Sequence, residues 1–353
     1  MNKKIIIIMV LLLIILSSLA FYTNTLKANS SNQTQITDML GRNVEVPLNV
    51  SRVASLSNSV TVQVYMLAPD KLIGWDSNRS AVQNRFMPTQ YQTLPVLGGG
   101  KKDANYETFI SMNPDLVFVG HGMSVDDVND MQDKLGLIPL LDVEGDNNLT
   151  NIDSSINFIG KTVGEQKKAS ELVSFHQRML SEVVSKTASI PENEKKRVYY
   201  ARDSTGLMTN PSGSAHTQLI DMCGGINVAQ VPITKGSVGV SIEQVLIWNP
   251  DIIIASDPTF YQNIYSDPLW QNVKAVKDKQ VYLVPNSPFN WFENPPGANT
   301  IIGIPWTAKV LYPDKFSDLN LKNITQEFYS SFYYYNLTDD EANSIITSSG
   351  LKS

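Results

Sequence analysis

Residues 107–119 read ETFISMNPDLVFV, and residues 243–255 read EQVLIWNPDIIIA. Glu107, Asn113, Pro114 and Asp115 fall in register with Glu243, Asn249, Pro250 and Asp251. Phe109, Ile110 and Met112 match Val245, Leu246 and Trp248. Each copy reads as a short amphipathic helix, an Asn-Pro-Asp stop and a strand. Proline bars the preceding Asn from the right-handed helical region, so the helix ends there. Residues 116–119 and 252–255 are apolar throughout, as strands buried on both faces are. One such unit is common; two at matching places predict two similar lobes with a cleft between them.

The flanks extend the match. Arg52-Val53 opens a short strand in the first half and Arg197-Val198 opens one in the second. Each is followed by a small-polar loop and an apolar helix, near 59–67 and 215–222. Further strands are expected near 139–143 and 281–284. Strands alternating with helices at this spacing predict an α/β fold: two lobes, each a helix-covered, mainly parallel sheet. A chain of 353 residues suits two such lobes.

Net charge is −6 with both signs interspersed, which gives no basic patch for nucleic acid. The single cysteine, Cys223, sits in an apolar helical pattern and reads as a buried structural residue. Lys3-Lys4 precede an apolar run from Ile5 to Leu16, then small residues at Ser18 and Ala20. Residues 1–21 are therefore expected to be a signal peptide or an uncleaved N-terminal membrane anchor. With no cysteine after the run, a bacterial lipoprotein anchor is not expected. Residues 22–35 read as a polar tether, and the body of the protein is placed outside the cytoplasmic membrane. Seven Asn-X-Ser/Thr sequons permit glycosylation without showing it.

An N-terminal lobe is read over 36–150, a linking helical segment over 151–190 and a C-terminal lobe over 191–353. Residues 165–189 carry Ala169, Leu172, Val173, Phe175, Met179, Leu180 and Val183 at helical spacing. One stiff helix of this length can join the lobes and restrict their motion. His176 within it is expected at the surface.

The chain resembles the substrate-binding proteins of ABC importers, of the helix-linked class that handles iron–siderophore complexes, haem, vitamin B12 and related metal compounds. The resemblance spans about residues 36–340. It rests on ITDMLGRNVEVP at 36–47, the paired NPD units, GSAHTQLIDMCGGINVA at 213–229 and WTAKVLYPDKF at 306–316. It implies two lobes joined by one long α-helix, with the ligand between them. It also implies that one acidic residue on each lobe docks into arginine pockets of a two-fold permease served by ATPase subunits. Glu107 and Glu243 occupy those positions; serving their own helix N-termini is the plainer role for both.

Ligands of parallel sheets lie beyond the carboxyl ends of the strands. That rule nominates Ser57, Asn58, Trp75 and His121 on the first lobe. On the second it nominates Tyr200, Arg202, Asp257, Trp291 and Phe292, with His216 at an expected helix start. His121 and Asp257 are equivalent in the repeat and are expected to face each other. Capping or packing is the ordinary alternative for each histidine, and core packing for each aromatic. Arg202 suits an anionic ligand, and aromatic faces suit a flat chelate.

No Walker A, Gly-x-Ser-x-Gly or His-Glu-x-x-His motif occurs, and no enzyme activity is expected. The run DVEGDNNLTNID at 142–153 departs from an EF-hand at its glycine and terminal glutamate positions. The expected function is capture of an iron–siderophore or similar metal chelate for import, by a monomer without cofactor. The alternatives are a molybdate or tungstate oxyanion, a corrinoid or, further off, a two-lobed metal-cluster or chelatase-like enzyme.

Overall fold

The computed structural model describes residues 32–352 except 102, 103, 234 and 235. The expected signal or anchor (1–21) and most of the expected tether lie outside the described residues. β1 (Gln33–Thr37) begins inside the segment read as tether, because it pairs antiparallel with β2 (Asn43–Pro47) and that pairing needs no apolar side chains. Gly41 makes the turn at φ +83°.

In the first lobe β3 (Val53–Ser55), β4 (Leu116–Gly120) and β5 (Leu140–Val143) form a parallel sheet in that order. In the second, β6 (Arg197–Ala201), β8 (Ile226–Asn227), β10 (Ile252–Ala255) and β11 (Val281–Leu283) form a parallel sheet in the order β11-β10-β6-β8. A small antiparallel ribbon, β7 (Met208–Thr209) with β9 (Val238–Gly239), flanks it. Every residue of β4, β5 and β10 is buried, as strands covered on both faces must be. The principal helices are α1 (Asn58–Leu67), α2 (Tyr106–Ser111), α3 (Ile152–Thr162), α4 (Gln166–Thr187), α5 (Gln218–Met222), α6 (Ile242–Trp248) and α7 (Gly303–Leu311).

The repeat is a structural module. Asn113 and Asn249 end α2 and α6 in the left-handed region, at φ +47° and +44°. Asparagine tolerates that conformation better than most residues, and the following proline closes the right-handed one. Arg52 then donates to the carbonyls of Met112 and Asn113 at 2.5 and 3.0 Å, and Arg197 donates to that of Trp248 at 2.8 Å. In both lobes the arginine that opens one strand thus caps the helix that precedes its neighbour.

Helix α4 has 22 residues, about 33 Å at 1.5 Å per residue. It packs against α3 on the first-lobe side and α7 on the second. His176 is buried rather than exposed, because α4 is covered from both sides; its Nδ1 lies 2.7 Å from Asp153 Oδ1 on α3. The lobes also meet directly. Tyr65 donates to the Tyr333 carbonyl and Tyr334 to that of Met66, each at 2.8 Å. The Arg79 guanidinium lies 4.6 Å from the ring centres of both Trp75 and Phe289, and donates to the Pro288 carbonyl at 2.7 Å. Burial lowers Arg79 to about 10. One hydrophobic core runs through both lobes. Cys223 is buried in it, and burial raises its thiol.

Candidate functional site

Two histidines, one from each lobe, are each held by a buried carboxylate. β4 ends at Gly120 and is followed by His121, while the chain after β5 turns through Gly145 to place Asp146 against it. Asp146 Oδ1 accepts from the His121 backbone amide at 3.1 Å and lies 2.5 Å from its Nδ1. Asp146 Oδ2 accepts from the hydroxyls of Ser57, at 3.2 Å, and Ser59. Gly120 makes this possible: a Cβ there would fall 2.4 Å from Ser57 Oγ and 2.5 Å from Asp146 Oδ2.

On the second lobe β6 delivers Tyr200 and Arg202, and the loop after β11 carries Glu293. The Asn290 side chain shapes that loop by accepting from the amides of Phe292 and Glu293, both at 2.9 Å. Glu293 accepts from Tyr200 Oη at 2.8 Å and lies 2.6 Å from His216 Nδ1 and 3.3 Å from Arg202 Nε. Arg202 also donates to the Ser237 hydroxyl.

Burial alone would raise both carboxyls. Hydrogen bonds from His121 and Ser59 nevertheless hold Asp146 below the usual carboxylate range. His216, Arg202 and Tyr200 do the same for Glu293. An ionised carboxylate only accepts, so each histidine presents Nδ1–H to it and turns Nε2 away. The Asp146 and Glu293 side chains are at most 1% exposed, whereas those of His121, His216 and Arg202 are 30–35% exposed. Each lobe therefore presents a partly exposed imidazole edge over buried negative charge, and the second adds a guanidinium. Lys101 adds a further cation, donating to the His121 carbonyl at 2.6 Å.

The fold brings His121 and Ser57 together on one lobe, and Tyr200, Arg202 and His216 on the other. Tyr200 is fully buried and reaches the site through its hydroxyl alone. His216 precedes α5 by two residues rather than opening it. Asn58 opens α1 with its side chain exposed beside Gly99. The other aromatics are packed inside. Trp75 is 2% exposed and donates to the Tyr91 carbonyl at 2.7 Å; Trp291 is fully buried and its indole donates to Tyr329 Oη at 3.2 Å. Phe292 stacks on Tyr200 with ring centres 4.9 Å apart. Asp257 caps the helix Pro258–Asn263, accepting from Thr259 and Phe260 amides at 2.7 and 3.1 Å. Glu107 and Glu243 are exposed in the first turns of α2 and α6.

Sequence reasoning missed Asp146, Glu293, Ser59, Asn147 and Gln218. Glu293 adjoins the nominated Trp291-Phe292. Asp146 and Asn147 fall in the acidic run weighed against an EF-hand. Among the described residues no group of three or more His, Cys, Asp or Glu could hold a metal ion.

The profile of the family described as Periplasmic binding protein matches residues 53–288. The molybdate-binding protein MolA of Haemophilus influenzae is 28% identical over 334 residues, 87% of this chain and 93% of that protein. The Fe(3+)-citrate-binding protein YfmC of Bacillus subtilis is 26% identical over 190 residues, 52% of this chain and 58% of that protein. An ABC transporter solute binding protein from Sulfurospirillum deleyianum superposes with a TM-score of 0.81 at 27% identity, covering 89% of this chain and 99% of that one.

Proposed function

The chain belongs to the periplasmic binding protein family, and from that premise we propose that it captures a small metal oxyanion of the molybdate class between His121 and His216. Proteins of this family bind ligands for ABC importers outside the cytoplasm and are not enzymes. The N-terminal apolar run would hold the protein at the membrane or direct its export.

One observation carries the choice of cargo: the cleft offers hydrogen-bonding edges rather than flat faces. Trp75, Trp291 and Phe292, which would have stacked on a catecholate or corrin ring, are at most 2% exposed. Arg202, His216 and His121 remain partly exposed, and a tetrahedral oxyanion accepts hydrogen bonds from a guanidinium and from imidazoles that carry a proton on Nε2. The relative whose printed name is a molybdate-binding protein matches most of both chains.

A metal chelate with open coordination positions is the second reading. A histidine whose other nitrogen is held by a carboxylate is the usual ligand arrangement around metals. Cargo analysis separates the two readings. Elemental analysis of the purified protein for molybdenum, tungsten and iron, with calorimetric titration of molybdate and of ferric citrate, tests them. Retained iron, with ferric citrate bound and molybdate not, would reject the oxyanion reading.

Glu107 and Glu243 are proposed as the contacts to the permease, one per lobe. Both are exposed at equivalent places in the repeat, where the helix N-terminus favours a carboxylate. Glu107→Lys or Glu243→Lys should stop uptake and leave cargo affinity within about twofold, since neither lies in the cleft. Parallel loss of binding and uptake would return both to a local role.

A further inference from the structure

We propose that the Asn147 amide competes with cargo for the Nε2 nitrogen of His121, and that Gln218 of the opposite lobe holds the amide there. The two amides would thus act as an interlobe latch that cargo must open. Asn147 Nδ2 lies 2.7 Å from His121 Nε2. Ionised Asp146 accepts the hydrogen bond from Nδ1–H, and an Asn147 amide N–H directed at Nε2 finds its acceptor in the lone pair of the neutral ring. The assignment is consistent from end to end: carboxylate, Nδ1–H, Nε2 lone pair, amide donor.

Gln218 secures the loop that carries Asn147. Its Nε2 donates to the Asn147 carbonyl at 3.1 Å, and its Oε1 accepts from the Leu149 amide at 2.7 Å. One side chain of α5 therefore satisfies a donor and an acceptor of a first-lobe loop. Gln218 follows His216 by two residues, so the histidines are joined through Asn147 and Gln218.

An oxyanion accepting from His121 needs a proton on Nε2, and the Asn147 N–H cannot stay against that proton. The amide must swing away or turn its oxygen inward, which shifts the loop that Gln218 holds. Asn147 is therefore a competitor for the site, and Gln218 is a positioning residue that carries the change between lobes. The effect on cargo rests on the oxyanion reading above; the latch itself rests on the contacts among His121, Asn147 and Gln218.

The test uses nitrogen NMR of the labelled imidazoles in cargo-free full-length protein, followed by molybdate titration. In the wild type His121 should show an Nδ1–H tautomer with a hydrogen-bonded Nε2 at pH 7.5. Asn147→Ala should remove the Nε2 hydrogen-bond shift and tighten molybdate about three- to tenfold, the scale of one hydrogen bond. Asn147→Asp should hold a proton on Nε2 and repel the anion. Gln218→Ala should lower hydrogen-exchange protection at Leu149 and move the His121 signal in the same direction as Asn147→Ala. An unchanged His121 spectrum in Asn147→Ala, or unchanged Leu149 protection in Gln218→Ala, overturns the latch. A changed spectrum without any molybdate binding leaves the latch standing and rejects the oxyanion reading instead.

Discussion

Asp115 closes the register of the first sheet by accepting from the backbone amide of Arg52 at 2.9 Å, and the same carboxylate oxygen accepts from Ser51 N and Oγ, each at 2.8 Å. Asp251 does the equivalent for Arg197 at 3.0 Å. The repeated Asp of the Asn-Pro-Asp units is thus a strand clamp. Asp115→Ala or Asp251→Ala should cost about 1–3 kcal/mol, since partly exposed donors regain water in place of charged bonds. Chemical denaturation measures this, and cargo affinity should not change.

Asp142 behaves in the opposite sense. It is fully buried, and neither side-chain oxygen has a hydrogen-bond partner among the described residues. Burial, reinforced by Glu144, Asp38 and Asp146 and opposed by Arg42, raises it to about 7. A carboxyl whose folded value is raised penalises folding progressively as pH climbs from the unfolded value to about 7. Asp142→Asn should therefore stabilise the protein at pH 8, by an amount on the order of a few kcal/mol, and change little below about pH 4. Thermal unfolding across that range checks the sign.

Asp146 and Glu293 carry depressed values, so their contribution to stability is complete above the ordinary carboxylate range and is lost as pH falls through their folded values. The wild type should lose stability steeply below about pH 4. The Asp146→Asn, Glu293→Gln double variant should be less stable at pH 7 and flatter in acid.

Arg202→Ala removes an accessible charge-assisted donor and should weaken molybdate by about 10- to 150-fold, equivalent to roughly 1.5–3 kcal/mol. Trp291→Ala should instead cost about 3–5 kcal/mol of stability, because its ring is buried and its N–H is bonded to Tyr329. Calorimetry and denaturant titration read the two effects separately.

The sheets, the repeat and the joining helix were legible because each rests on local rules: Asn-Pro stops, apolar runs and helical spacing. The strand-end rule nominated His121, Tyr200 and Arg202, since parallel strands deliver their last residues to one rim, and an expected helix start nominated His216; in the structure each of the four lies against Asp146 or Glu293. It could not tell which way a side chain turns. Trp75 and Trp291 follow strands yet point inward, and Asp257 spends its carboxylate on a helix cap. Asp146 and Glu293 escaped notice because their roles depend on partners 25 and 77 residues away in sequence. Neither sits in a motif.

Calorimetric titration of molybdate and of ferric citrate into the wild type, His121→Ala, His216→Ala and the double variant tests the central claim most directly. If one histidine from each lobe grips the cargo, each single variant should lose at least about tenfold in affinity for whichever compound the wild type binds. The double variant should bind neither. Affinities within about twofold of wild type in both single variants would contradict the placement of the site between His121 and His216.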